Sequence, residues 1–373
     1  QKFHRKHQNK IKMSNNSKNI LVAGGTGYIG THTVLTLIEG GYDVTVVDNL
    51  VNSTEEGLNR VRTLTGCEES RIRFFNVDIC NREELEKVFK CSPKFDSCIH
   101  FAGLKAVGES VQKPLLYYEN NIGGTVVLVD LLDKYGCRSL IFSSSATVYG
   151  SAEVPITEDT PTGHGITNAY GRTKFQIEEI LKDFKVSKDV AKPALTEPWH
   201  VVILRYFNPV GAHPSGRIGE DPSGIPNNLM PYIQQVAVGK RDKLTVFGND
   251  YPTHDGTGVR DYIHVMDLAE GHACALQYIE KADQSNNTYS VFNLGSGKGY
   301  SVLEMVQAMR SASGSEIKTE IAARRVGDIA VCYADTAKAT RELGWTAKRD
   351  LDAMCRDSWK WISSNPNGYS GAK

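Results

Sequence analysis

Tyr170 and Lys174, in Ala169-Tyr170-Gly171-Arg172-Thr173-Lys174, are spaced for proton chemistry. In a helix, positions four apart share a face, so the phenol and the ammonium can enter one site. A free tyrosine titrates near 10 and is a poor base at neutral pH. A fixed cation beside it favours the phenolate and lowers that value. Bringing it to pH 7 takes about three units, or roughly 4 kcal/mol. A lysine and a second cation could supply that together. The pair alone also occurs by chance on helix surfaces, so its weight rests on what precedes it.

Two features precede it. Ser143-Ser144-Ser145 closes an apolar run at the position of a strand end, where one hydroxyl could hold a substrate oxygen. The competing reading is a turn that satisfies its own backbone. No G-x-S-x-G elbow surrounds these serines, which argues against a nucleophile. Further upstream, Gly24-Gly25-Thr26-Gly27-Tyr28-Ile29-Gly30 follows the apolar run Asn19–Ala23. Glycines at 24, 27 and 30 let the backbone turn tightly and approach a pyrophosphate at a helix N-terminus. The spacing is G-x-x-G-x-x-G rather than G-x-G-x-x-G. Its context, a strand before, a helix after and Asp48 at the end of the next strand, makes it a dinucleotide fingerprint. Asp48 would accept from a ribose hydroxyl and repel a 2′-phosphate, which favours NAD over NADP. An exposed strand-end Asp without a ligand is the alternative. The nicotinamide ring would then be the second cation beside Tyr170.

The elements that must position these residues alternate. Strands are predicted at Asn19–Ala23, 43–47, 71–77, 96–101, 139–143 and 201–206. Helices are predicted at Tyr28–Glu39, 82–89, 111–135 and from Tyr170. The pattern implies an α/β fold, a doubly wound parallel Rossmann sheet. Residues 185–197 have no clear period and read as a surface loop. From about 208 the pattern is mixed, with a helix at 229–238, a strand at 244–247 and helices at 301–312 and 350–362. A smaller mixed α/β C-terminal lobe follows from this, with Val265–Gln277 returning to the first lobe. Asn208, Asn228, Arg260 and Arg325 lie in that half. Arginine suits diphosphate because its planar fork bonds oxygens bidentately, although each of the four, taken singly, is more often a solvated or ion-paired surface residue.

Composition bounds the rest. The 373 residues carry 43 basic and 43 acidic side chains, so no global field favours nucleic acid or an anionic membrane. No apolar run approaches a membrane span. The cysteines at 67, 80, 91, 98, 137, 274, 332 and 355 form no C-x-x-C pair and have no histidine cluster, which excludes a recognisable zinc site and implies no metal. Disulfides are not expected in so large a core, and a reducing cytoplasmic setting is the simplest reading. Residues 1–12 are basic and polar, and 1–17 is expected to be a disordered extension, with Met13 as an alternative natural start.

Taken in order, the glycine loop, Ser143-Ser144-Ser145-Ala146-Thr147-Val148-Tyr149-Gly150 and Tyr170-Gly171-Arg172-Thr173-Lys174 resemble the extended short-chain dehydrogenase/reductase superfamily. Within it they resemble the UDP-glucose 4-epimerases. His100–Gly108, Arg205–Pro214 and Gly256–His264 carry the same likeness, which runs from about Lys18 to Tyr369.

The resemblance implies an NAD-dependent isomerase of galactose metabolism that inverts C4 of a UDP-hexose through a 4-keto intermediate, with NAD held tightly. Tyr170 would be the base, Ser145 would hydrogen-bond the same oxygen, and Lys174 would hold the nicotinamide ribose and tune Tyr170. It assigns NAD to Gly24, Gly27, Tyr28, Ile29, Gly30, Asp48, Asn49, Asn52, Ser53, Asp78, Ile79, Phe101, Ala102, Gly103, Lys105, Asn120, Ser145, Tyr170, Lys174 and Phe207. It assigns the UDP-sugar to Ser145, Tyr170, Asn208, Asn228, Leu229, Arg260, Arg325, Asp328 and Cys332. Residues 18–207, with a returning segment near 262–285, would form the NAD-binding domain, and 208–261 with 286–373 the UDP-sugar lobe. A homodimer through helices near 112–135 and 168–184 is implied as well.

Cys332 stands where some family members carry tyrosine, which leaves room for an N-acetyl group and predicts turnover of UDP-N-acetylglucosamine and UDP-N-acetylgalactosamine. The plainer reading is a small buried apolar residue. The rival reading is another NAD-dependent nucleotide-sugar epimerase or decarboxylase acting on a UDP-uronate or UDP-pentose, but no carboxylate site is recognisable. Dehydratases of the superfamily place an Asp-Glu pair after the serine. Ala146 and Thr147 stand there instead, which argues against elimination.

Overall fold

A computed structural model describes residues 17–371 apart from 192–196, 223, 225, 227 and 326. The expected N-terminal extension up to residue 16 lies outside the described residues. Among the described residues, thirteen strands and eleven α-helices alternate. They begin β1 (Asn19–Ala23), α1 (Tyr28–Glu39), β2 (Asp43–Asp48), α2 (Glu56–Thr65), β3 (Ile72–Asn76), α3 (Arg82–Cys91) and β4 (Ser97–His100). Next come α4 (Val107–Gln112), α5 (Pro114–Tyr117), α6 (Gly124–Lys134), β5 (Ser139–Ser145), α7 (Ala169–Asp189), β6 (His200–Tyr206) and β7 (Asn208–Val210). The chain continues with α8 (Leu229–Ala237), β8 (Leu244–Phe247), β9 (Val259–His264), α9 (Val265–Glu280), β10 (Thr288–Leu294) and β11 (Gly299–Ser301). It closes with α10 (Val302–Ser313), β12 (Thr319–Ala322), β13 (Val331–Cys332) and α11 (Leu351–Ser364).

Seven parallel strands form the main sheet in the order β10-β6-β5-β4-β1-β2-β3. Both faces are covered, so its central strands are largely apolar and successive side chains serve opposite layers. Ile20, Val22, Val44, Val46, Ile99 and Ile141 pack with Leu35, Leu58 and Leu276 of α1, α2 and α9. Leu21, Ala23, Cys98, Leu140 and Phe142 pack with Leu85, Leu128 and Leu181 of α3, α6 and α7. Burial of each such side chain contributes about 1.5–3 kcal/mol. The strand order reverses at β1, which places the crevice of a doubly wound sheet at the carboxyl ends of β1 and β4.

The smaller lobe has its own core, where Met230, Ile233, Leu244, Val246, Met305, Met309 and Met354 meet. Its sheets are small: β11-β9-β13 with β7 against β9, and β12 beside β8. Helix α11 joins the lobes, since Met354 and Cys355 lie in the small core and Trp361 in the large one.

Four details differ from the sequence reading. The helix expected over 111–135 is broken. Pro114 begins a new helix at its first turn, a π-type turn spans Tyr118–Gly123, and α6 follows. Residues 185–189, read as loop, extend α7, where Lys185 and Asp189 pair at 2.6 Å one turn apart. β10, in the stretch given to the smaller lobe, is the edge strand of the main sheet beside β6. Its Tyr-Ser-Val-Phe-Asn pattern alternates too weakly to declare which sheet it joins. Leu268 and Leu276 of α9 lie in the core of the main sheet, and α2 was not foreseen.

Candidate active site

The glycine loop sits at the reversal point. Gly24 adopts φ +81°, and a Cβ there would lie 2.5 Å from the Ala102 nitrogen, so the glycine permits β1 and β4 to end side by side. A Cβ on Gly30 would press into Gly25 at 2.7 Å. Gly27 differs: its nearest neighbour would be the Gly24 oxygen at 3.5 Å, so the space its missing side chain leaves faces outward. Gly27 caps α1 with no side-chain hydrogen bond, and no acidic residue occupies the first turn. The helix start therefore keeps free N–H groups and an uncompensated dipole, an arrangement that fits a pyrophosphate.

Asp48 closes β2 beside this loop. Its carboxylate accepts from the Thr26 nitrogen at 3.2 Å, the Leu50 nitrogen at 3.0 Å and the Ser53 hydroxyl at 3.0 Å. It braces the loop as well as presenting an acceptor. Asn49 donates to Asp78 at 3.0 Å, which gathers the ends of β2 and β3, and Ile79 packs under Gly124. Asn52 is exposed on the same turn. Phe101 and Ala102 both donate to the Ala23 carbonyl, and the Asn121 side chain pins the loop at Leu104 from both sides. Gly103 lies against the Asn121 amide, to which Asn120 also donates. Lys105 reaches across to Glu220 of the smaller lobe at 3.4 Å. Tyr28 spans the lobes too, donating to the Gly211 carbonyl at 2.7 Å.

Ser145, Tyr170 and Lys174 meet at the carboxyl end of β5. Asn168 accepts from the Gly171 nitrogen at 2.8 Å and fixes the start of α7. Tyr170 and Lys174 then fall in its first two turns, on one face. Ser145 accepts from the nitrogen and the hydroxyl of Thr147 at 3.2 and 3.0 Å. That leaves its own proton to donate, and the Ser145 hydroxyl near the Tyr170 phenol favours the phenolate.

The electrostatics differ from the simple expectation. Burial raises the Tyr170 phenol above its usual value, and the nearby Ser145 hydroxyl only partly offsets it. Lys174 turns its ammonium to the Ser143 carbonyl at 2.6 Å and lies 4.8 Å from the Phe142 ring centre and 5.9 Å from that of Tyr170. It is 5% exposed, and burial pulls its amine down to about 8, with Glu178 acting against that fall. His100 beside it is pushed down to about 3, by burial first and Lys174 second, and is neutral.

The residues expected at the sugar nucleotide make separate contacts in the smaller lobe. Arg260 pairs with Asp328 and donates to the Val259 carbonyl at 2.9 Å. Asn208 donates to the Asp261 carbonyl at 2.9 Å. Arg325 lies over the Phe247 ring at 4.0 Å. Asn228 heads α8 without capping it, which leaves its amide available, and Leu229 packs on the small core. The two regions are joined. Gly327, at φ +77°, rests against Thr167 beside the start of α7. Cys332 and Phe207 share a buried cluster with Val148 and Tyr149, just after Ser145. Burial pushes the Cys332 thiol up to about 11, so it is uncharged.

Sequence reasoning missed Asp261. It is fully buried, accepts from Ser296, Gly297 and Ala334, and is raised by burial to about 6. It ties β9 to the chain beyond β10 and to β13, and so steadies Arg260 next to it. A carboxylate inside the strand Val-Arg-Asp-Tyr-Ile-His was the available signal. Phe247 and Thr147 were also missed as supports. Among the described residues no cluster of His, Cys, Asp and Glu is placed to hold a metal.

The profile of the family described as GDP-mannose 4,6 dehydratase matches residues 21–358. UDP-glucose 4-epimerase 2 of Arabidopsis thaliana is 58% identical over 357 residues, covering 95% of this chain and 98% of its own. The chain belongs to the UDP-glucose 4-epimerase family. A structure from that family, the Bifidobacterium longum enzyme in complex with NAD+ and UDP, superposes with a TM-score of 0.87 at 50% identity, covering 94% of this chain and 100% of that one. The UDP-Glc/GlcNAc 4-epimerase of Campylobacter jejuni gives a TM-score of 0.77 at 34% identity, covering 93% and 100%. Neither Ala146 nor Thr147 carries a carboxyl group or other acid or base that could drive elimination. Thr147 instead braces Ser145.

Proposed function

We propose that this chain interconverts UDP-glucose and UDP-galactose by inverting the sugar C4 through a 4-keto intermediate, with NAD held throughout. The observation that carries this reading is the convergence of Ser145, Tyr170 and Lys174 at the crevice that the glycine loop opens. When bound, NAD supplies the hydride acceptor and donor for C4.

The protein moves the proton. Tyr170 takes it from the 4-hydroxyl, and Ser145 donates to the same oxygen as charge develops there. Because burial raises the phenol in the protein alone, the phenolate forms once a further cation enters the pocket beside Lys174. Gly24, Gly27, Gly30 and the start of α1 would hold the pyrophosphate and Asp48 the ribose, with Asn49, Asn52, Ser53, Asp78, Ile79, Phe101–Gly103, Lys105, Asn120 and Phe207 enclosing the cofactor.

Arg260, Arg325, Asn208, Asn228, Leu229 and Asp328 anchor the UDP, which leaves the sugar free to present either face. The small Cys332 side chain admits N-acetylated sugars, in keeping with the relative named for both substrates. A homodimer is supported by Val107, Val111, Leu115 and Val126, apolar side chains exposed on α4–α6 beside α7. All eight cysteines are free, which fits a reducing cytoplasm. No described helix is long and apolar enough to cross a membrane.

The test is incubation of the purified protein with UDP-galactose and no added cofactor. UDP-glucose should appear. Its absence even with NAD added would sink the reading.

A further inference from the structure

Behind the Tyr170–Lys174 face lies a buried charged network that the epimerase mechanism does not use. Glu178, one turn beyond Lys174 on α7, is 2% exposed. It receives the Arg205 guanidinium bidentately, with Nε at 3.1 Å and Nη2 at 2.6 Å, and it accepts the hydroxyl of Ser144. Arg205, from β6, also donates to the Tyr149 hydroxyl at 2.9 Å, and that hydroxyl donates to Asn293 of β10 at 2.6 Å.

An isolated ion pair so deep in a core is a poor source of stability, because desolvation offsets its attraction. Its placement gives it another use. Ser144 lies between Ser143, whose carbonyl holds Lys174, and Ser145, whose hydroxyl serves Tyr170. The Glu178 carboxylate therefore grips β5 between the two points where β5 meets the catalytic helix.

We propose that Glu178 is a positioning residue for the epimerase reaction: held by Arg205 and Ser144, it sets α7 against β5 and supplies the counter-charge for the Lys174 ammonium. This rests on the reaction proposed above. The charged and titratable groups facing Lys174 are Tyr170 and Glu178 from its own helix, His100 from β4 and, through Glu178, Arg205 from β6. Tyr117 and Tyr206 face Tyr170. His100 is neutral, which leaves Glu178 as the anion that opposes desolvation of Lys174. Removing its charge would leave Lys174 and Arg205 as neighbouring cations. The lysine would then lose its proton at lower pH. Removing Arg205 alone would act in the opposite direction.

The experiment is the pH dependence of kcat and KM for UDP-galactose in the holoenzyme. Unsubstituted enzyme serves as the control: its turnover upholds the reaction whatever the variants do. Glu178→Gln is expected to lower kcat about 10- to 100-fold with little change in KM, and to move the alkaline limb of the profile acidward by about one unit. Arg205→Met is expected to move that limb to higher pH. Glu178→Asp keeps the charge on a shorter stem. It should hold the limb near its original position with kcat between those of Glu178→Gln and the unsubstituted enzyme, and it carries the test if the first two variants do not fold. Limbs that stay put in every folded variant, with melting temperature alone reduced, would overturn the proposal. So would a Glu178→Asp enzyme whose limb moves acidward.

Discussion

Lys174 donates to the Ser143 carbonyl at 2.6 Å, and through that bond the catalytic helix is moored to the strand that carries Ser145. The ammonium lies 5.9 Å from the Tyr170 ring centre and makes its hydrogen bond to the strand. Its field at Tyr170 is accordingly modest in the protein alone, and burial prevails. Activation of the base therefore depends on the cation that the pocket receives.

Tyr170→Phe removes the proton acceptor and little volume. Turnover of UDP-galactose should fall about 10²- to 10⁴-fold, while NAD remains bound by the loop at the far end of the crevice. Steady-state kinetics and the cofactor content of the purified variant check both parts. Loss of NAD or of fold would mean that the ring is structural.

The rate should decline as pH rises through about 8, where the buried Lys174 amine loses its charge. The sign for stability is the reverse. The folded value is depressed below that of the unfolded chain, so the unfolded state binds the proton more tightly between about 8 and the ordinary lysine value near 10.4. This group's contribution to stability then increases with pH across that window. Lys174→Met should abolish most activity without lowering the melting temperature at neutral pH, as differential scanning calorimetry would record.

Gly27 and Gly30 should fail in different ways. A side chain at Gly27 enters open space at an ordinary backbone angle, φ −68°, so Gly27→Val should fold and emerge without cofactor. Gly30→Ala drives a methyl into Gly25 at 2.7 Å and should lower the melting temperature of the protein itself. Absorbance of released NAD, set beside thermal denaturation, separates the two.

Cys332→Tyr should narrow the sugar pocket. Turnover of UDP-N-acetylgalactosamine is expected to fall at least about tenfold while that of UDP-galactose is spared, because one site cannot hold both the phenol and the acetyl group. Equal losses on both substrates would place Cys332 in a purely structural cluster with Phe207 and Val148.

Leu115 is 79% exposed and Val111 62%. Charging both, as Val111→Asp with Leu115→Asp, should convert a dimer to monomer in sedimentation velocity with the fold intact. A monomeric unsubstituted protein would remove the basis for the interface.

The glycine loop, Asp48, the serine strand end and the Tyr170–Lys174 spacing were all readable before any fold was known. Each is local chemistry: a turn that only glycine allows, a strand end, and two residues on one helical face. The alternation of apolar runs likewise declared a parallel sheet, because strands buried on both sides leave continuous hydrophobic stretches. The partners of those residues depended on contacts between segments distant in the chain. Asp261 braces Arg260 by accepting from Ser296, Gly297 and Ala334, and Glu178 meets Arg205 across two elements. β10 joins the main sheet only because β6 leaves it an open edge. The balance at Tyr170 belongs to the same class. Spacing placed a cation near the phenol, but burial is a property of the packed interior, and it decided that the lysine alone does not make the base.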